Sequence, residues 1–212
     1  MRAGRRSSQP LPVSFYARDT ARVARDLLGC VLATRHRGAI TAGRIVEVEA
    51  YVGPHDPAAH GFGNRRTPRN DRLFGPPGTA YVYFTYGMHW CFNVVTERDD
   101  YPAAVLVRAL EPLEGLELMR VRRGVARPRQ LCAGPARLCE ALRITGALNG
   151  ASLRGPTLRV LPGFRPPSAA IRQSPRIGIS RATDWPLRFY LHGSEWVSRA
   201  GRREEGREKK EG

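Results

Sequence analysis

Residues 44–51, RIVEVEAY, alternate apolar and polar side chains at period 2, the pattern of a β-strand with one buried face. Alternation puts Val46, Val48 and Ala50 on the core-facing side and Glu47, Glu49 and Tyr51 together on the other. Two carboxylates and a phenol on one strand face are unexpected in a chain with 35 Lys+Arg against 19 Asp+Glu, a formal charge of +16. A basic excess of that size implies a polyanionic partner, nucleic acid foremost. The acidic face then needs a task of its own.

The rest of the chain bounds that task. Its 212 residues, 42% hydrophobic and 8% aromatic, suit one domain with a proper core. No apolar run approaches the roughly 18 residues of a membrane span. The opening MRAGRRSSQPLPVSF is basic but has no apolar signal-peptide region. A cytoplasmic protein without a membrane partner is expected, nucleoid-associated if bacterial. Cys30, Cys91, Cys132 and Cys139 form no CxxC pair, so buried thiols are expected and not a zinc site. Residues 1–12 and the mixed-charge, apolar-free tail 199–212 are expected to be loose ends.

Outward from the acidic strand, residues 19–29 carry apolar positions at helical spacing and end in Gly, which predicts a short helix. Strands are expected over 30–36 and 40–52, then an irregular segment rich in Gly, Pro, Asn and Arg from 53 to 78. Residues 81–86, 90–95 and 103–108 read as a three-strand meander with turns at Gly87-Met88 and 97–102. Helices over 113–123 and 135–142 and short strands ending with 187–191 complete an α+β single domain. Its sheet is expected to be curved and mostly antiparallel, with peripheral helices.

Three groups of residues carry chemistry. The loop GFGNRRTPRNDRLFGPPGT, residues 61–79, offers Arg65, Arg66, Arg69 and Arg72 among residues that expose backbone N–H groups, a surface suited to phosphates. Tyr81 and Tyr83 share one strand face, and alternation sends Tyr86 to the other. Because it precedes Gly87, Tyr86 should stand at a hairpin tip, where a ring can wedge between bases. Third, Glu47, Glu49, His55, Asp56 and His60 could ligate a metal, as in a nuclease or phosphoesterase. No recognised metal spacing supports that. The metal-free alternative is a carboxylate that activates water beside an aromatic ring and a histidine. A non-catalytic nucleic-acid-binding module with merely structural acids remains a third reading. A basic surface, a tip tyrosine and a pocket with an acid together have the layout of base flipping.

The blocks RIVEVEAYVGPHDPAAH, RTPRN, PGTAYVYFTYGMHWCFNV, VLVRALEPLEG, LCAGPARLC and PLRFYLHGSEWVS resemble, in order, segments of the alkyladenine (3-methyladenine) DNA glycosylase family. The resemblance runs from about Phe15 to Ser198 and implies a glycosylase domain over 13–198. It implies that Glu49 is the general base that deprotonates the water attacking C1′. Tyr51, His60 and Tyr83 fall where the family sandwiches and hydrogen-bonds the flipped base, and Tyr86 where a residue fills the gap in the duplex. Asn93 matches an asparagine that crowds the 2-amino group of guanine, and Arg108 an arginine that fixes the target nucleotide's backbone. The pattern is departed from at His89, and the chain after Leu142 is less similar. The partner implied is double-stranded DNA containing damaged purines, bound by a monomer, with no metal and no cofactor. Independently, a glycosylase that also nicks the strand needs an amine nucleophile, and the only lysines are Lys209 and Lys210 in the tail. Water as nucleophile follows, and a cationic sugar explains an acid in a basic protein.

Overall fold

A computed structural model describes residues 9–198. Its centre is a single sheet in which every pairing is antiparallel. The strands are β1 (Val31–His36), β2 (Ala39–Tyr51), β3 (Ala80–Thr85), β4 (His89–Val95), β5 (Ala104–Glu114), β6 (Leu158–Leu161), β7 (Ile171–Ser174) and β8 (Arg188–Leu191). The order β3-β4-β5-β2-β1-β6 forms the main path, with β8 pairing to both β2 and β7. The helices are α1 (Val13–Tyr16), α2 (Thr20–Leu27), α3 (Leu116–Arg123) and α4 (Pro135–Leu142). The expected α+β single domain with an antiparallel sheet and peripheral helices is therefore observed.

β2 is the long strand on which the others are registered. One edge pairs with β5 from Ala42 to Tyr51. The opposite edge is shared, β1 covering its first half and β8 covering Glu47–Glu49. Register shifts at 45–48 mark a bulge, which lets Ile45 and Val46 both enter the core while Glu47 turns away. Val46, Val48 and Ala50 join Val105 and Val107 of β5, Phe92 and Val94 of β4, and the apolar faces of α2 and α4 in one cluster. α2 starts at Asp19, whose carboxylate accepts the Arg22 N–H at 2.8 Å, as an N-cap should.

Three expectations need adjusting. Leu11, assigned to a loose N-terminus, is buried and donates its N–H to the Val160 carbonyl at 2.9 Å. The helix expected from residue 113 begins at Leu116, because β5 runs on to Glu114 along the thirteen-residue β2. Tyr86 does not lie on the face opposite Tyr81 and Tyr83. It sits beyond the end of β3 in a turn with positive φ at Tyr86 and Gly87 (52° and 67°), so strand alternation no longer applies and it borders the same cavity as those two rings. Cys30, Cys91, Cys132 and Cys139 are buried free thiols; burial pushes Cys132 up to about 12. The tail expected to be loose, 199–212, and residues 1–8 lie outside the described residues.

Candidate active site

The face of the sheet opposite the core carries the site. In register across it stand Tyr81 on β3, Asn93 on β4, Leu106 on β5 and Glu49 on β2, with Tyr83 opposite Cys91 one step along. Above them lies a cavity of about 520 Å³, walled by Tyr51, Tyr81, Tyr83, Cys91, Asn93 and Arg108 from the strands. The loop between β2 and β3 supplies His60, and residues 177–181 close the other side. That volume is in the range of small-molecule sites and accommodates a purine nucleoside.

The loop holds His60 in place through its own hydrogen bonds. Asn70 is buried and bridges the turn: its amide donates to the carbonyls of His60 and Arg65 at 2.8 and 2.9 Å, and its oxygen accepts from Thr67 N–H and Oγ1. Gly61 lies where any Cβ would strike Pro102 at 2.3 Å, so only glycine lets this loop approach the segment that leads into β5. His60 Nδ1 is 2.8 Å from the Tyr81 hydroxyl, and its ring meets Tyr83 edge-on at 4.5 Å. Burial of the ring's surroundings and the Arg69 charge push the imidazole below its ordinary value, so it is neutral at pH 7. The opposite wall is Tyr51, whose ring is backed by the Arg176 guanidinium at 4.6 Å.

Glu49 is fully buried and stands behind the cavity wall. Its Oε1 accepts the Ile177 N–H at 2.7 Å and is 3.1 Å from Arg108 Nη1; Oε2 accepts the Tyr51 hydroxyl at 3.0 Å. All three partners line the cavity. Burial raises the Glu49 carboxyl above its ordinary value, against the pull of Arg108 and the two hydrogen bonds. Such a group is a stronger base than a surface glutamate. Of its oxygens, Oε2 is held by one hydroxyl alone and is the one able to exchange that bond for a water. Tyr83 and Tyr51 are likewise pushed up by burial and remain phenols.

The remaining acids are occupied. Glu47 is fully buried and accepts from Arg108 Nε, Arg188 Nε and both the N–H and Oγ of Ser198. Asp56 is held bidentately by Arg176, both side chains having no exposure, and also caps the N–H groups of Val52 and Ala58. Among the described residues, no three His, Cys, Asp or Glu side chains cluster as a metal would need. In the donor set of the nuclease reading, Glu47 and Glu49 are thus bound to Arg108, Asp56 to Arg176 and His60 to the Tyr81 hydroxyl.

The expected DNA contacts differ among themselves. Arg65 is exposed and has no side-chain partner among the described residues, whereas Arg66 pairs with Asp71 and Asp100 and lies over the Phe74 ring. Arg69 donates to the Phe84 carbonyl at 3.0 Å and braces the β3–β4 hairpin. At the hairpin tip Tyr86 is 82% exposed and Met88 68%. Asn93 uses Nδ2 on the Tyr81 carbonyl at 3.1 Å, which leaves Oδ1 as the atom it can offer the cavity. Sequence reasoning missed Ile177 and Arg176. Their only sequence signal is an Arg-Ile pair between Pro175 and Gly178, just after the short β7, too common to single out.

The sequence pattern of a family described as methylpurine-DNA glycosylase matches residues 14–195, nearly everything that builds this cavity. The chain belongs to that family. A provisionally named 3-methyladenine DNA glycosylase of Methanoculleus marisnigri is 54% identical over 192 residues, 89% of this chain and 98% of its own length. Similarly named proteins of Carboxydothermus hydrogenoformans and Rhodopseudomonas palustris are 46% and 50% identical. They span 89% and 88% of this chain, and the matches cover 98% and 89% of the relatives. Family membership implies a glycosylase acting on DNA, and it gives the basic charge of the chain a partner.

Proposed function

We propose that the protein is a monofunctional DNA glycosylase that flips alkylated or deaminated purines, of the 3-methyladenine, hypoxanthine and ethenoadenine class, out of duplex DNA and excises them hydrolytically, initiating base excision repair. The observation that carries this reading is the pairing of an aromatic-walled cavity with a buried carboxylate immediately behind one wall. A flipped base enters between Tyr51 on one side and His60 with Tyr83 on the other, stacking on π-faces that accept any purine. Asn93 stands at the edge of that slot, where an exocyclic 2-amino group would collide. Tyr86, exposed in a left-handed turn that disfavours a bulky residue, fills the space vacated in the duplex. Arg65 and Arg69 meet the DNA backbone beside the cavity, and Arg108 positions the target nucleotide.

The chemistry then needs little. As the glycosidic bond lengthens, positive charge builds on the sugar, and the Glu49 carboxylate stabilises it. Oε2 takes a proton from water as the water oxygen bonds to C1′; the bonding pair leaves with the purine, which is cationic already or becomes protonated. With no lysine in residues 1–208, water in place of an amine leaves an abasic strand uncut. The protein acts as a monomer without a cofactor. Single-turnover base release from a duplex containing one hypoxanthine or ethenoadenine tests this. Release should survive EDTA and fall about a hundredfold in Glu49→Gln, the scale of a lost general base. Loss of release with EDTA favours the nuclease-type reading, and an unchanged Glu49→Gln rate removes Glu49 as the base.

A further inference from the structure

Nothing in the reaction just described uses Glu47, yet it is the most heavily bonded side chain of the site face. Its Oε1 accepts from Arg188 Nε at 2.7 Å, Ser198 Oγ at 2.9 Å and Arg108 Nε at 3.2 Å; Oε2 accepts the Ser198 N–H at 2.6 Å. Arg108 is shared: Nε faces Glu47, and Nη1 faces Glu49 Oε1 at 3.1 Å. One guanidinium therefore spans two fully buried carboxylates that share a strand face. We propose that Glu47 is a positioning residue, which fixes Arg108 between the acids and, through its own negative charge, keeps Glu49 a stronger base than Arg108 alone would leave it. The proposal rests on the reading of Glu49 as the base.

Arg108 by itself would favour the ionised, weakly basic form of Glu49. A second carboxylate bound to the same guanidinium divides that attraction and adds like-charge repulsion through a dry interior, both in the opposite direction. Burial raises the Glu49 carboxyl most, Arg108 lowers it, and Glu47 adds a smaller push upward. Glu47 is the carboxylate that shares Arg108 with it. Tyr51 on β2 and Cys91 on β4 are raised by burial and stay neutral, Arg108 comes from β5, and Arg176 stands behind Tyr51. Arg188 from β8 balances Glu47, so two acids and two arginines form a neutral set. A buried ionic network is not needed for stability, since an apolar replacement of the same volume often serves as well. Its use here is to set the charge state next to the cavity.

The test is the pH profile of single-turnover base release from a hypoxanthine duplex by wild type, Glu47→Gln, Glu47→Gln/Arg188→Gln and Glu49→Gln. In Glu47→Gln the side-chain carbonyl can still accept hydrogen bonds, but the repelling charge is gone. The acid limb should move to lower pH, and the plateau rate should fall about tenfold as a weaker base takes the proton. The double variant leaves no arginine without its acid and should show the same displacement, so the answer does not depend on the single variant folding. An acid limb that stays in place in whichever of these folds, while Glu49→Gln is nearly inactive, reduces Glu47 to a structural anchor and overturns the proposal. Wild-type release by Glu49→Gln would instead overturn the base assignment, and the role of Glu47 with it.

Discussion

The β2 face and the β3–β4 hairpin tip invert the usual distribution of side chains. On and around β2, Glu47, Glu49, Asp56, Arg108, Arg176 and Arg188 are buried. At the tip, Phe84, Tyr86 and Met88 are exposed. Ordinary folding stability explains neither region, because charges belong in water and large apolar side chains out of it. The buried charges are tolerated because each is answered: Asp56 by Arg176, Glu47 by Arg188, Ser198 and Arg108, Glu49 by Arg108, Ile177 and Tyr51. Phe84 meets the Trp90 ring at 4.7 Å, while Tyr86 and Met88 have no ring or charge partner among the described residues. The first region is built for internal precision and the second for a partner, and the two should respond oppositely to mutation.

The largest effect is expected where a buried charge loses its counter-charge. Asp56→Asn strands the Arg176 guanidinium in the interior and should lower stability by about 3–5 kcal/mol, read as a large fall in thermal midpoint. Tyr86→Ala should leave the midpoint nearly unchanged, since an exposed ring is removed and Ala keeps the same Cβ in the left-handed turn, while weakening base release from a lesion duplex about tenfold, the scale of one lost stacking ring. Should both variants damage stability alike, the contrast between the regions fails.

Glu49 gives a sharper version, because function and stability pull apart at one residue. Its folded pKa is raised, so its contribution to stability is complete below the unfolded glutamate value of 4.5 and is lost as pH rises through the folded value. Glu49→Gln removes that penalty. The variant should melt a few degrees above wild type at pH 7.5, and the gap should close as pH falls toward 4.5, as scanning calorimetry across that window can check. The smallest effect separates two adjacent arginines. Arg65→Ala should reduce the slope of log affinity against log salt by about 0.9, one phosphate contact, and Arg66→Ala by less, since Arg66 is already paired twice.

Much of this was legible in RIVEVEAY: period-2 alternation gave the strand, its core face and the three polar residues that face away from it. The meander over 81–108 was legible for the same reason, and Tyr86-Gly87 announced a tip. What alternation could not give was the set of partners. Glu47 meets Arg188 and Ser198, and Glu49 meets Ile177, more than a hundred residues on; Asp56 meets Arg176 at a similar separation. Such pairings arise only when β8 closes on the free half of β2, and no local pattern encodes that choice. The Tyr86 face was misjudged for a related reason: periodicity ends where φ turns positive. The end of β5 was missed because Pro112 argues against a strand locally, yet it lies beside a register shift in the pairing with β2, where a missing N–H is tolerated.

The most direct measurement is to identify the products from a duplex with one hypoxanthine, incubated with excess protein in EDTA. Metal-free hydrolytic excision predicts free hypoxanthine in solution and a full-length strand that breaks at the lesion only after hot alkali. Strand breakage without alkali, or an unreleased base in EDTA, would contradict it.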